Sequence, residues 1–488
     1  MELTRRIDIG DNLEALASIE TGSVELVYLD PPFNSGRTYE SRVSGDNRES
    51  AFSDIWSWDG SRDTAMRTLD AQLPPVLART VRALVESLGK SGRTAYVLEM
   101  ALRLAQAHRI LTPTGSLYLH CDPSASHLLR VALDALFGAQ NFRNEIVWQR
   151  TNAHSGSRRF GPVHDTILFY TKSASYTWNQ NFSPYSSDYL ANHFTKSDER
   201  GPYQLITCTG PGDRIGTRAH YEWRGQFPPT GRHWAWKIEK MAEYEEEGRL
   251  VYSRNGTPRF KRYADDGAGV RLQDVWSDIS SLSAHSSERT GYDTQKPVAL
   301  LERIISASSN PGDLIVDPFA GSGTTAVAAQ RLGRAWHVSD RSTLAASLTL
   351  SRVREDKPGL SVHVTGFPRT SRALNLLSRE EPTAYAAWTT ALLSARLDRK
   401  VVARSAVIGT RGWNPKFATA VPLSDGASLS TWKHSIKEAL IVDGPGADQV
   451  TADLQDMGTE YLGRVPRAAF HASSVSSTGL ADYDLRFV

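Results

Sequence analysis

The residues equipped for chemistry fall in three short stretches. In VELVYLDPPFNSGR an apolar run ends at Asp30, and Pro31, Pro32 and Phe33 follow at once. Proline cannot donate to a sheet ladder, so a strand must stop there. The stop is either a loop of no consequence or a rigid platform presenting a carboxylate and an aromatic ring. In DLIVDPFAGSGTTAVAAQ a strand ends at Asp317 and a Gly-Ser-Gly turn opens into a helix. Gly321 and Gly323 let the backbone approach a ligand closely, and the helix start offers N–H groups to a carboxylate or phosphate. A mere tight turn is an equal alternative at this point. No Gly-Lys-Ser/Thr follows, so the stretch is not a P-loop, and it lacks the dinucleotide-binding spacing. The next strand, AWHVSD, ends in Asp340, placed either to hold ribose hydroxyls or to cap the following helix. The third stretch is TQKP, Thr294 to Pro297. His120, Cys121 and Asp122 invite a metal reading, but neighbours on a strand point to alternate faces and do not converge.

Strands and helices must position these groups. RIDIG and VELVYLD read as buried strands, with helical spacing in DNLEALASI between them. AYVLEMALRLAQAHRIL is an amphipathic helix stopped by Pro113 and Gly115, and the strand GSLYLHCD follows. SASHLLRVALDALFG is a helix closed by Gly138; NEIVWQR and DTILFYTK are two further strands. This alternation predicts an α/β fold with a doubly wound sheet. From about Ser173 to Ser287 the alternation fails in favour of Tyr, Trp, Arg, Gly and Pro, as in an inserted module. It resumes with the helix KPVALLERIISAS, the strand LIVD, the helix GTTAVAAQRLG and the strand AWHVSD. Beyond Lys357 there is no motif, repeat or low-complexity tract, and no Asp…Glu-x-Lys cluster of a nuclease. The expected division is 1–172 and 288–356 as two parts of a catalytic domain, 173–287 as an insertion, and 357–488 as a C-terminal domain.

Bulk properties narrow the class. With 488 residues the chain can form two or three domains with substantial cores. No apolar run approaches membrane-span length, and MELTRRIDIGDN lacks the apolar core of a signal peptide. Cys121 and Cys208 are the only cysteines, which excludes a disulfide framework and a cysteine-based zinc cluster. A cytoplasmic protein with no membrane partner is expected. The net charge of +2 is too small to announce a nucleic-acid partner, which must be argued from local patches.

DPPF, the Gly-rich turn and TQKP together resemble the S-adenosylmethionine-dependent amino-group DNA methyltransferases of the N6-adenine/N4-cytosine type. Their order is that of the permuted β group: DPPF first, the target-recognition insertion in the middle, TQKP and DPFAGSGTT last. GDNLEAL, PTGSLYLHCDP, FRNEIVWQR, RNGTPRFKRY, QDVWSDI and ERTGYDTQKPVALLERII are similar to one bacterial subgroup. The resemblance covers about Arg6 to Arg352. It implies a circularly permuted Rossmann-like methyltransferase sheet, S-adenosyl-L-methionine as cofactor, no metal, and double-stranded DNA as partner. A homodimer, or a restriction or defence partner subunit, is left open.

For the reaction, the resemblance implies that Asp30 and the Pro31 carbonyl accept the two hydrogens of an adenine N6 amino group. Pro31 and Pro32 keep these acceptors aimed, and Phe33 stacks on a base flipped from the duplex. Asp317, Phe319, Gly321, Ser322, Gly323 and Thr324 are expected at the methionine side of the cofactor, with Thr294, Lys296 and Pro297 at the same end. Asp340 is expected at the ribose. Asp11 is a candidate for the cofactor's adenine, with a helix cap as its ordinary alternative. For DNA, Arg158 and Arg159 lie in the loop AHSGSRRFG. LVYSRNGTPRFKRYADD reads as a hairpin around Asn255-Gly256, with Arg254, Arg259, Lys261 and Arg262 interleaved with Tyr252, Phe260 and Tyr263. That mix suits phosphate contacts and base stacking, or a charged edge strand. EKMAEYEEEGR is a solvated helix face, and NSGRTY is expected to be a flap over the base. Aspartate at the head of DPPF favours adenine N6, since cytosine-N4 relatives more often carry Ser there. Cytosine N4, a non-catalytic recognition subunit, and RNA or protein methylation are the competing readings.

Overall fold

The computed structural model describes residues 3–33, 56–151, 158, 160–267, 269–283, 286–292, 294–357 and 360–366, and by backbone alone the strands 38–44, 47–53, 395–403, 406–411, 417–422, 438–442, 460–465 and 474–475. One large sheet organises the chain. Its strands are β1 Arg5–Ile9, β2 Val24–Leu29, β3 Leu111–Cys121, β4 Phe142–Gln149, β5 His164–Thr171, β6 Val275–Trp276, β7 Leu314–Asp317, β8 Ala335–Asp340, β9 Val362–Thr365 and β10 Ser474–Val475. They lie in the order β6-β4-β5-β3-β2-β7-β8-β1-β9-β10. The central run from β3 through β9 is parallel, whereas β5 is antiparallel to both β3 and β4. The helices that concern the site are α1 Asn12–Ala17, α2 Pro75–Leu88, α3 Gly92–Ile110, α4 Pro123–Phe137, α5 Val298–Ser308, α6 Thr324–Arg331 and α7 Thr343–Asp356.

Strand periodicity decides which helices cover which face. Every residue of β2 is buried, as a central parallel strand requires. Leu26 and Tyr28 enter a core with Leu300, Ile304, Val327 and Leu350 of α5, α6 and α7. Val24, Val27 and Leu29 enter the other core, with Leu16, Tyr96, Leu104, Leu129 and Leu133 of α1, α3 and α4. The sheet is thus covered on both faces, a doubly wound α/β architecture of Rossmann type. Helix α2 packs behind α3 and α4 through Leu77, Ala78 and Val81. Capping fixes the helix starts: Ser91 and Thr94 form a capping box on α3, and Asp122 accepts from the Ser124 amide at 2.7 Å with Pro123 in the first turn of α4.

Three boundaries differ from those read in the sequence. Strand β3 begins at Leu111, directly after α3, so Pro113 and Gly115 lie within the start of the strand. The inserted unit is Gln180–Leu272, narrower than 173–287. Its flanks belong to the larger unit: the Asn179 amide donates to the Ala307 carbonyl of α5 at 2.7 Å, and β6 pairs with β4 in the main sheet. The sheet also extends past residue 356, because β9 lies parallel to β1. Strands Ala395–Ala403, Ala406–Arg411, Phe417–Pro422, Glu438–Val442 and Glu460–Val465 form a separate five-stranded sheet.

The inserted unit has its own architecture. Leu250–Tyr252, Pro258–Tyr263, Gly201–Thr207 and Lys196–Asp198 form a four-stranded antiparallel sheet. Cys208, Trp223, Trp234, Met241, Leu250 and Phe260 fill its core. The helix Ile238–Glu246 buries Met241, sets Tyr244 partly buried against the same core, and turns most of its other residues to solvent. Much of the aromatic content of the insertion is therefore structural. Among the described residues no helix is long and apolar enough to cross a membrane, and no group of three or more His, Cys, Asp or Glu is placed to hold a metal ion.

Candidate active site

Adjacent parallel strands bring four acidic residues to one edge of the sheet. β2 pairs with β7, β7 with β8 and β8 with β1. Their C-terminal ends carry Asp30, Asp317, Asp340 and Asp11, at the strand ends or one to two residues beyond. From β2 the sheet continues through β3 on one side, and from β7 through β8 and β1 on the other. A crevice at such a reversal is where α/β sheets bind ligands.

Asp30 follows β2 and meets a buried cation. Lys296 Nζ lies 2.6 Å from Asp30 Oδ2, with both side chains largely buried. The same ammonium stands 5.3 Å from the centre of the Phe33 ring. Among the described residues nothing donates to the other carboxylate oxygen of Asp30. The TQKP segment that delivers Lys296 is held tightly. Gln295 Oε1 accepts from the Thr290 amide and hydroxyl at 2.8 and 2.7 Å, and its amide donates to the Glu288 carbonyl at 2.8 Å. Thr294 is thereby kept at φ +65°, a conformation that costs a side-chain-bearing residue about 1–3 kcal/mol. Pro297 precedes α5, whose Val298 amide is capped by Glu288 Oε1 at 2.7 Å.

Asp317 is 2% exposed. It accepts from the Phe319 amide at 2.8 Å and from the Thr325 hydroxyl at 2.5 Å. Burial pushes its carboxyl up to about 7 against these two donors, and the charges of Asp30 and Asp340 add to the rise. The turn after it carries Gly321 at φ +50° and Gly323 at φ +78°. A Cβ at Gly323 would stand 2.5 Å from Thr349 Oγ1, so glycine is required there by packing as well as by φ. No side chain caps α6, which leaves its first-turn amides available. Asp340 accepts from the Gly321 and Ser342 amides, each at 2.9 Å, and so fixes the turn to β8.

The match that decides the family is to the DNA methylase family N6_N4_Mtase, whose model fits residues 24–343. The chain belongs to this family of DNA methylases. Methylases of this family use S-adenosyl-L-methionine. Similar proteins include the type II methyltransferase M.EcaI of Enterobacter cloacae, 31% identical over 68% of this chain and 65% of its own length. The Mod subunit of the type III restriction-modification enzyme StyLTI of Salmonella typhimurium is 25% identical over 66% of this chain and 49% of its own. The DNA adenine methyltransferase YhdJ of Escherichia coli K12 is 24% identical over 67% of this chain and 74% of its own. The methylase described here thus spans just under two thirds of the first relative and half of the second.

Several residues of the methylase carry contacts that the motifs did not indicate. Lys296 was expected toward the methionine end; its ammonium contacts Asp30, while its carbonyl accepts from Thr324 Oγ1 at 3.2 Å. Ser322 and Thr324 have their hydroxyls committed to Arg352, whose Nη1 donates at 3.2 and 3.0 Å, because buried hydroxyls need partners. Asp11 is a helix cap, accepting from the Leu13 amide at 2.9 Å. In the hairpin, Phe260 and Tyr263 are buried within the inserted unit and do not present free faces for base stacking. Lys261 donates to Asp198 at 2.7 Å and Arg262 to the Tyr185 hydroxyl at 2.9 Å. Arg158, Arg254 and Arg259 are exposed. Arg159 and Asn34–Arg37, the start of the expected flap, lie outside the described residues.

The motifs did not reveal Asn12, Arg103 and Arg352, which bind the site together. Arg103 Nε donates to Asn12 Oδ1 at 2.8 Å, and the Asn12 amide donates to the Pro318 carbonyl at 2.9 Å. Nor did they reveal Asp165, an acid inside the apolar strand β5 that is bonded to His120. A charge in an otherwise apolar strand was the one available signal.

Proposed function

We propose that the chain is a site-specific DNA methyltransferase that moves a methyl group from S-adenosyl-L-methionine to the N6 amino group of adenine in duplex DNA. The observation that carries this reading is the Asp30 carboxylate, clamped by Lys296 one strand away from the buried Asp317 and the Gly-rich turn. The residues at that turn suit the donor. Asp317 is a buried carboxyl with no basic side chain bonded to it among the described residues, and a ligand ammonium matches that need. The donor supplies a methyl group made electrophilic by its sulfonium.

The chain's own residues do the rest. The adenine amino lone pair is delocalised into the ring and must be directed out of its plane. Lys296 holds one oxygen of Asp30, leaving the other to accept an amino hydrogen, and the Pro31 carbonyl accepts the second. Orientation of this kind accelerates transfer without a strong base. Phe33 stacks on the base, which leaves the duplex to reach it. Asp340 and Asp11, at the neighbouring strand ends, take the ribose and adenine of the donor, and the Thr294–Pro297 segment with Phe319, Ser322 and Thr324 shapes the methionine end. The exposed Arg254 and Arg259 of the hairpin, with Arg158, and Arg159 beside it in the sequence, contact DNA phosphates.

The test is incubation of the protein with duplex DNA and labelled donor, digestion to nucleosides and chromatography. N6-methyladenine is the expected product. N4-methylcytosine as the only product moves the reading to the cytosine branch. DNA binding without donor binding by calorimetry reduces the protein to a recognition subunit. Long-read sequencing of DNA from an expressing host then gives the recognition sequence.

A further inference from the structure

Behind Phe33 lies a buried polar chain that methyl transfer as described above does not use. His120, on β3, is 0% exposed. Its ring lies 5.7 Å from that of Phe33, at an angle of 26°. It stands edge-on to Trp148 (5.6 Å, 87°) and to Tyr28 (6.3 Å, 79°). Both ring nitrogens are engaged: Nδ1 is 2.9 Å from the Tyr28 hydroxyl, and Nε2 is 3.1 Å from Asp165 Oδ2. The antiparallel register sets His120 opposite Ile167, so Asp165 is its diagonal neighbour on the same face. Arg150 Nε, just beyond β4, lies 3.0 Å from the other oxygen of Asp165.

This arrangement does not serve packing. An apolar side chain would fill the volume of His120 with no partner to satisfy, whereas a buried imidazole and carboxylate each need several. What the bonds supply is a ring plane that cannot turn. Burial alone would push the Asp165 carboxyl up, but the bond and charge of His120, with Lys296 and Arg150, hold it below its ordinary value. The carboxylate accepts from the Nε2–H, and the Tyr28 hydroxyl, which can donate or accept, pairs with Nδ1. Turning the ring breaks both bonds. Phe33, by contrast, follows two prolines beyond the end of β2, where no ladder fixes it. Its ring lies stacked on that of His120.

We infer that His120, clamped by Asp165 and Tyr28, is the positioning residue that sets the plane of Phe33 and hence of the target base stacked on it. This rests on the reading of Phe33 as the stacking ring and adds the residue that orients it. A tilted base aims its amino lone pair away from the methyl group, so the loss falls on turnover and not on binding.

The test uses the full-length protein and a duplex carrying the sequence found methylated. Tyr28→Phe, Asp165→Asn, the apolar pair His120→Leu/Asp165→Leu, and Phe33→Ala are compared for donor affinity, KM for DNA and kcat. The apolar pair leaves the buried Tyr28 hydroxyl without its His120 partner and frees the partly exposed Arg150, so some stability is lost and folding is checked first. The expected result is a roughly tenfold or greater loss of kcat in the apolar pair, with donor affinity and KM within about threefold. Tyr28→Phe and Asp165→Asn fall between it and the parent. Should the apolar pair not fold, these two single-group changes decide: parental kcat in both, beside a damaged Phe33→Ala, overturns the inference and spares the stacking reading. Loss of donor affinity in step with kcat overturns it too, in favour of a purely structural role. An undamaged Phe33→Ala overturns both readings.

Discussion

Asp30 and Lys296 form a pair whose members divide the work, and single substitutions separate them. Asp30→Ala removes the acceptor itself: methyl transfer is expected to fall by about a hundredfold or more, with donor affinity by calorimetry within about twofold. Lys296→Met leaves the acceptor but frees it to turn. Its expected signature is also a loss in single-turnover rate with donor binding retained, whereas a lysine serving the methionine end would lose donor affinity first. Asp317 gives a pH dependence. Its carboxyl is raised to about 7 in the folded protein from 3.8, so between these values the native state holds a proton that the unfolded chain has released. The contribution of Asp317 to the stability of the donor-free protein is therefore largest below pH 4, falls as pH rises, and is lost above about 7. Thermal melts from pH 5 to 8 measure this, and Asp317→Asn should flatten the slope. Asp30, Asp317 and Asp340 were legible as chemistry because each ends a strand in a motif. The partner of Asp30 was not, because Lys296 lies 266 positions away along the chain.

At the scale of elements, the strand–turn–helix from β7 to α6 depends on two glycines for different reasons. Gly321 is needed mainly for its φ of +50°, because the contact of its Cβ position with the Tyr292 ring, at 3.2 Å, is one a small adjustment relieves. Gly323 has both a φ of +78° and the side chain of Thr349 in the way. Gly323→Ala is accordingly expected to cost about 1–3 kcal/mol by denaturant unfolding and to weaken donor binding by displacing the start of α6. The hairpin of the inserted unit shows how far local reading carries. The turn at Asn255-Gly256 was legible, since Gly256 sits at φ +76° between paired strands. Which of its residues face outward was not, because that depends on the core formed with Trp234 and Met241. Arg254 and Arg259 remain exposed, while Phe260 and Tyr263 are drawn inside.

For the whole molecule, two compact units have consequences for how it melts. Gln180–Leu272 has its own sheet and core, and the acidic cluster lies entirely in the other unit. Scanning calorimetry is expected to resolve more than one transition. Saturating methyl donor should raise only the transition of the larger unit, because a ligand stabilises the part whose folded state binds it. A single transition shifted as a whole would show that the units unfold together.

The sequence by itself determined where strands stop, where glycine must lie and how the motifs are ordered, and with them the family and the α/β class. All of these depend on a few neighbouring residues, through proline's missing donor, the freedom of φ at glycine and the period of apolar positions. The tertiary structure decided that Lys296 clamps Asp30, that Asp165 and Tyr28 lock His120 behind Phe33, that Ser322 and Thr324 turn to Arg352, and that β9 extends the sheet. Each of these joins groups far apart in the chain. Such pairings follow from strand order and register, which local sequence pattern constrains but does not set.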